Sequence, residues 1–230
     1  MLTALFALSA HAAHPTYAQL LRRLDAVAAS VHDDPDVRAH WSRLVARHQL
    51  ADTESAYREF VRVRLVHEAT RAGGHLGLVW NITDRPPDAT HIWAAWRAEP
   101  SAPVVAECDE LSALFAQLGR GLGVANLGLF WPTSNHTVAV WTTPGADGTP
   151  VRIVVPTSQI FLAEDAGLGD TTFDAWSQRT IYNYGGRELK PTDPLPAALV
   201  DRMVEGAQRF AGAPEAELLR RRLTGDWSVR

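Results

Sequence analysis

Residues 107–141 read ECDELSALFAQLGRGLGVANLGLFWPTSNHTVAVW, residues 142–150 TTPGADGTP, and residues 151–159 VRIVVPTSQ. From Cys108 the apolar positions Leu111, Leu114, Phe115 and Leu118 recur at helical spacing and stop at the glycine cluster between Gly119 and Gly123, so the spacing predicts a buried helix opening at Cys108. NLGLFW, HTVAVW and VRIVV are strand-like, and PGADGTP between the last two predicts a hairpin. The predicted order is helix, strand, strand, strand. The stretch carries the chain's single cysteine, Cys108, and places His136 at the head of a strand. A thiol and an imidazole are the two groups a thiol enzyme needs.

Outside this stretch the composition narrows the field. At 230 residues and 46% hydrophobic, the chain is long enough to bury a core and short enough for one domain. Its net charge of -4 gives nucleic acid or an anionic membrane no electrostatic footprint. A single cysteine excludes an intrachain disulfide framework and a zinc site built from several thiolates. The segment HEATRAGGH from His67 opens like a zinc-hydrolase motif but has Arg71 where the second histidine would share a helical face, and Glu68 lacks an identifiable carboxylate partner for glycoside hydrolysis. No metal and no cofactor is therefore expected.

The first residues carry an apolar run from Leu2 to Ala10, and Ala10-His11-Ala12 is compatible with signal-peptide cleavage after Ala12. Residues 1–14 are read as that leader, which implies a periplasmic or secreted protein; an ordinary apolar first helix and a cytoplasmic protein are the alternative. No segment reaches the roughly 18 to 20 apolar residues of a membrane span. Residues 15–230 are read as one domain, with a helical part over 15–75, a core over 76–190 and C-terminal helices over 191–230. Helices are predicted from about Thr16 to Val31, from Pro35, from Asp52 or Thr53 to the Gly73-Gly74 stop, from Pro196 to Phe210 and from Pro214 to Leu223. His11, His14, His32, His40 and His48 fall in or near surface-like helical positions and read as structural or solvated. GLVWNIT suggests a short strand and HIWAAWRA a short helical piece. Trp80, Trp93, Trp96 and Trp131 crowd towards the key stretch, where they suit the wall of an apolar cleft or core packing equally.

A cysteine in the first turn of a helix meets unpaired backbone N–H groups and the positive end of the helix dipole, which lower a thiol pKa. Glu107, Asp109 and Glu110 oppose a thiolate there, so the net effect is open. Cys-Asp-Glu opening an apolar helix, the LGRGLGV end, a strand, His136 heading HTVAVW and a following strand reaching VVPT together resemble the core of the transglutaminase-like superfamily, which includes bacterial transglutaminase-like cysteine proteases. The likeness covers about Ala106 to Gln159. It implies an α+β, papain/transglutaminase-like core in which the Cys-bearing helix packs on a small antiparallel sheet. It also implies Cys108 as nucleophile and His136 as general base, with the family's third residue, an Asp directly before Pro-Thr, replaced here by Val155. Thr157 and Gln159 follow on the alternating face and can hydrogen-bond an imidazole, as an amide does in papain-like enzymes; Asp165 and Asp170 are loop carboxylates that could serve, and a site with no third member is the remaining reading. An oxyanion donor is expected from the Cys108 N–H together with one upstream group, with Trp80, Asn81, Trp93 and Trp96 as candidates.

The expected function is thiol-dependent acyl transfer or hydrolysis of an amide bond in a peptide or protein substrate. The alternative is a transglutaminase-fold binding or assembly module without turnover, which Val155 supports. Neither substrate nor oligomeric state is fixed by the sequence.

Overall fold

In the computed structural model the residues described are 14–71, 73–74, 76–81, 104–133, 136–158 and 189–224. The chain is α+β. Helices α1 (Tyr17–Ser30), α2 (Pro35–His48) and α3 (Glu54–Thr70) come first, each started by the side chain its sequence supplies. Thr16 and Gln19 form a reciprocal capping box on α1, Asp34 accepts from the first turn of α2 with Pro35 at its start, and Thr53 accepts from Ala56 on α3. Strands β1 (Leu78–Trp80) and β2 (Val104–Ala106) pair in parallel, with Trp80 opposite Ala106.

Helix α4 (Cys108–Gly121) follows β2 after one residue, and strands β3 (Leu127–Thr133), β4 (His136–Pro144) and β5 (Pro150–Val155) form an antiparallel sheet in that order. The β4–β5 pair is the hairpin the turn residues predict, with Ala139 opposite Val155 and Pro144 opposite Pro150. Helices α5 (Ala197–Phe210) and α6 (Glu215–Thr224) close the described chain. One predicted helical piece, HIWAAWRA, lies outside the described residues, as does the candidate leader up to residue 13.

Strand alternation gives the three-stranded sheet two faces. Leu127, Leu129, Ala139, Trp141, Ile153 and Val155 belong to one continuous apolar core with Leu111, Leu114, Phe115 and Leu118 of α4 and with α1, α2, α3 and α5. Phe130, Val138, Val140 and Val154 make a second, separate cluster on the other face. The Cys-bearing helix therefore packs on the sheet through the stripe its sequence spells out. Side-chain bonds fasten the helical part to this core, among them Tyr17 Oη donating to the Gln117 carbonyl at 3.0 Å and Trp141 Nε1 donating to Glu59 at 2.9 Å.

Two expectations need correction. The strand β2 is missed by the sequence reading, because three residues carry no usable period and its partner β1 is remote in sequence. His40 is buried, at 3% exposure, where the helical pattern suggested a surface position. Arg64 Nε donates to its Nδ1 at 3.2 Å, while the Arg64 guanidinium also holds the carbonyls of Ala211 and Ala213 beyond α5. A long polar side chain buried on α3 draws His40 inward, since a buried guanidinium must find acceptors.

Candidate functional site

Glu107 caps α4 in an extended conformation, and its N–H donates to Glu110 Oε2 at 2.8 Å. That turn sets Cys108 at the first helical position, half-buried. Its sulfur meets the sheet where the main-chain N–H of Thr137 donates to Cys108 Sγ at 3.4 Å. The β3–β4 register is irregular there, between Phe130 and Thr133, with Thr133 opposite His136. The sulfur thus rests against the peptide that joins His136 to Thr137.

Burial pushes the Cys108 thiol above its ordinary value; the Thr137 N–H pulls it back, and the Asp109 carboxylate raises it again. The helix start alone suggested a lowered value. Desolvation reverses the sign because the half-buried sulfur loses more water than the helix end returns in dipole stabilisation.

His136 is buried, at 5% exposure, and burial lowers its pKa from 6.5 to about 4. The imidazole is neutral across the physiological range. A consequence for stability follows from its sign. Between pH 6.5 and about 4 the unfolded chain binds a proton that the folded chain does not, so folding stability rises with pH in that window. Acidifying from pH 7 to 4 is expected to cost about 3 kcal/mol through this group alone. Urea melts of the wild type and His136→Gln at intervals across that range check it. Parallel pH dependences of the two proteins would rule out His136 as the source.

The third position looks different in space from its appearance in sequence. Val155 is fully buried opposite Ala139, within the core that α4 covers. Thr157 lies two residues on, and its Oγ1 is 2.8 Å from Ser112 Oγ of α4, which also reaches the Thr137 carbonyl at 3.4 Å. Thr157 is thus a tie between helix and sheet edge. Gln159, Asp165 and Asp170 lie outside the described residues.

The β1–β2 pair brings the Trp80–Asn81 backbone to the side of Cys108. Trp80 pairs with Ala106, and the Asn81 N–H donates to the Ala106 carbonyl at 3.1 Å, two residues before Cys108. Asn81 is exposed. Of Trp80 only the backbone is described, and Trp93 and Trp96 lie outside the described residues. The short parallel pair is the feature that brings the Trp80–Asn81 backbone beside Cys108.

Beneath the β5 exit lies a polar cluster on α3 that the sequence reading left as packing. His67 and Glu68 are each 1% exposed and Arg71 4%. Arg71 Nε donates to Glu68 Oε2 at 3.0 Å, His67 Nδ1 is 3.5 Å from Glu68 Oε1, and His67 Nε2 is 2.8 Å from the carbonyl of Pro156. A carbonyl can only accept, so Nε2 carries the proton in that bond. Among the described residues no group of three or more His, Cys, Asp or Glu side chains could hold a metal, and no helix is long and apolar enough to cross a membrane.

Compared with protein families, curated proteins and solved structures, the chain matches none in any of the three.

Proposed function

We propose that this chain is a transglutaminase-like thiol acyl-transfer or hydrolase domain that acts on an amide bond of a peptide or protein, with Cys108 as nucleophile and His136 as general base. The observation that carries the reading is the 3.4 Å contact of Cys108 Sγ with the Thr137 N–H, which sets the only thiol of the chain, at a helix start, against the residue next to His136. The resting pair is a neutral thiol and a neutral imidazole, given the raised thiol and the lowered histidine. His136 takes the thiol proton as sulfur attacks the carbonyl carbon. The carbonyl oxygen becomes an oxyanion facing the Cys108 N–H and the Trp80–Asn81 side. Collapse breaks the C–N bond, His136 returns the proton to the leaving amine, and a thioester remains. Water or an amine then attacks it, releasing acid or a new amide and restoring the thiol.

The test reads the thiol directly. Iodoacetamide alkylation of Cys108 is measured across pH 5–10 on the wild type and on His136→Ala. A rate at pH 7 that falls about tenfold or more in the variant is expected, since a positioned base is worth roughly that or more. Superimposable profiles, both tracking an ordinary thiol, would sink the activated-nucleophile reading.

A binding or assembly module without turnover is the second reading, favoured by Val155 in the core at the position where the resemblance calls for an aspartate. It predicts no turnover of amides or esters and unchanged partner binding in Cys108→Ala.

A further inference from the structure

Thr137 falls between the two ladders of the sheet. The β3–β4 ladder pairs Phe130 with Val138 and Thr133 with His136, and the β4–β5 ladder ends at Ala139 opposite Val155. Where the ladders leave off, side chains of α4 meet its main chain: the Thr137 N–H donates to Cys108 Sγ at 3.4 Å, and Ser112 Oγ reaches the Thr137 carbonyl at 3.4 Å. Cys108 and Ser112 are four residues apart, so they stand one above the other on the same helix face. The short bond of this group runs across to the β5 exit, where Ser112 Oγ and Thr157 Oγ1 are 2.8 Å apart. Thr157 is anchored in turn, since the carbonyl before it, that of Pro156, is held by His67 Nε2 of α3 at 2.8 Å.

Elsewhere α4 meets the sheet through Leu111, Leu114, Phe115 and Leu118, in one core with Ala139, Trp141 and Val155. Apolar packing presses a helix down without direction, whereas a hydrogen bond fixes both distance and angle. The sulfur is sensitive to that placement. Burial opposes its thiolate most, and the Asp109 and Glu107 carboxylates add to this; the N–H groups of Thr137 and, less strongly, Asp109 favour it. The Asp109 N–H belongs to α4 and travels with the sulfur. The Thr137 N–H belongs to the sheet, and it reaches the sulfur only while the start of α4 is seated. We infer that Ser112 and Thr157 are the positioning residues of the thiol: their hydrogen bond, one turn along from Cys108, seats α4 where the Thr137 N–H meets Cys108 Sγ and sustains the thiolate as it forms. Resting on the reading of Cys108 as the nucleophile, this gives Thr157 a part other than imidazole partner, since it acts on the thiol and does so through Ser112.

The experiment uses the full chain and the pH profile of iodoacetamide alkylation at Cys108, in the wild type and in Ser112→Ala, Thr157→Val, their double variant, Thr157→Ser and Tyr17→Phe, with urea melts alongside. Ser112→Ala and Thr157→Val are each expected to raise the thiol midpoint by about half a pH unit or more, which slows alkylation at pH 7 about threefold or more. The double variant should shift no further than either single one, because the same bond is lost once. Thr157→Ser keeps the hydroxyl and should keep the wild-type midpoint. Tyr17→Phe removes the bond from α1 to the Gln117 carbonyl, far along α4, and should lower stability without moving the midpoint. An unchanged or lowered midpoint in both single variants would overturn the inference, and so would an equal rise in Tyr17→Phe, since any loosening of α4 would then serve. If Ser112→Ala does not fold, Thr157→Val against Thr157→Ser decides alone, and a wild-type midpoint in Thr157→Val overturns it. Failure of the site reading looks different: His136→Ala then leaves alkylation unchanged while the Ser112 and Thr157 variants still shift.

Discussion

Cys108→Ala is expected to lower acyl transfer by a factor of about 10³ or more while leaving the fold in place. On the proposed mechanism, removing Cys108 takes away the covalent route itself, and what survives is only binding and oxyanion stabilisation. Stability should move little, by about 1 kcal/mol, because the half-buried sulfur makes only weak bonds among the described residues, such as the 3.4 Å contact from the Thr137 N–H. That separation makes the variant a clean probe. Single-turnover assays on a panel of activated esters and short peptide amides measure the first part, and urea melts the second. A panel substrate that Cys108→Ala turns over as fast as the wild type would show that the chemistry lies elsewhere. Because the chain has no other cysteine, no second thiol can substitute. Cys108→Ser sharpens the result: its hydroxyl fills the same place but ionises far less readily, so it too should fall by orders of magnitude.

The second large effect concerns stability. Glu68→Ala is expected to destabilise the protein by about 3 to 5 kcal/mol, read from urea melts at pH 7. Glu68 stands between Arg71 at 3.0 Å and His67 at 3.5 Å, all three nearly sealed from water. Deleting the carboxylate takes from a buried guanidinium the group it donates to at 3.0 Å, and that cost exceeds the loss of the pair's own attraction. The double variant Glu68→Met with Arg71→Met should recover much of the stability, since it removes both charges and keeps the volume. If the single variant lost less than about 1 kcal/mol, the cluster would not be the buried ion pair its distances describe. The site is coupled to it. His67 donates to the Pro156 carbonyl at 2.8 Å, so loosening His67 loosens the β5 exit that carries Thr157 and Ser158.

Much of the scaffold is legible in one dimension. The stripe from Leu111 to Leu118 gives α4 its length and its buried face, and the glycines from Gly119 end it near where the helix stops at Gly121. The helices starting at Tyr17, Pro35 and Glu54 announce themselves through Thr16, Asp34 and Thr53, because a cap is a bond between residues two or three apart. The β4–β5 hairpin is equally local, since Gly145 and Gly148 sit in a short turn between two strand-like runs. The strand β2 and the buried position of His40 escape for the opposite reason: each depends on a partner far along the chain, Leu78–Trp80 in one case and Arg64 in the other.

The same division runs through the site. From the sequence come the single cysteine, its place at a helix start and the histidine at the head of a strand, because composition and local period specify them. Tertiary structure alone decides that Cys108 Sγ meets the His136–Thr137 peptide and that the thiol is raised where the helix end would lower it. Those are questions of register and desolvation. Register is settled by which strand lies alongside which, and desolvation by every atom packed around a group, and neither quantity is carried by a residue together with its neighbours in sequence.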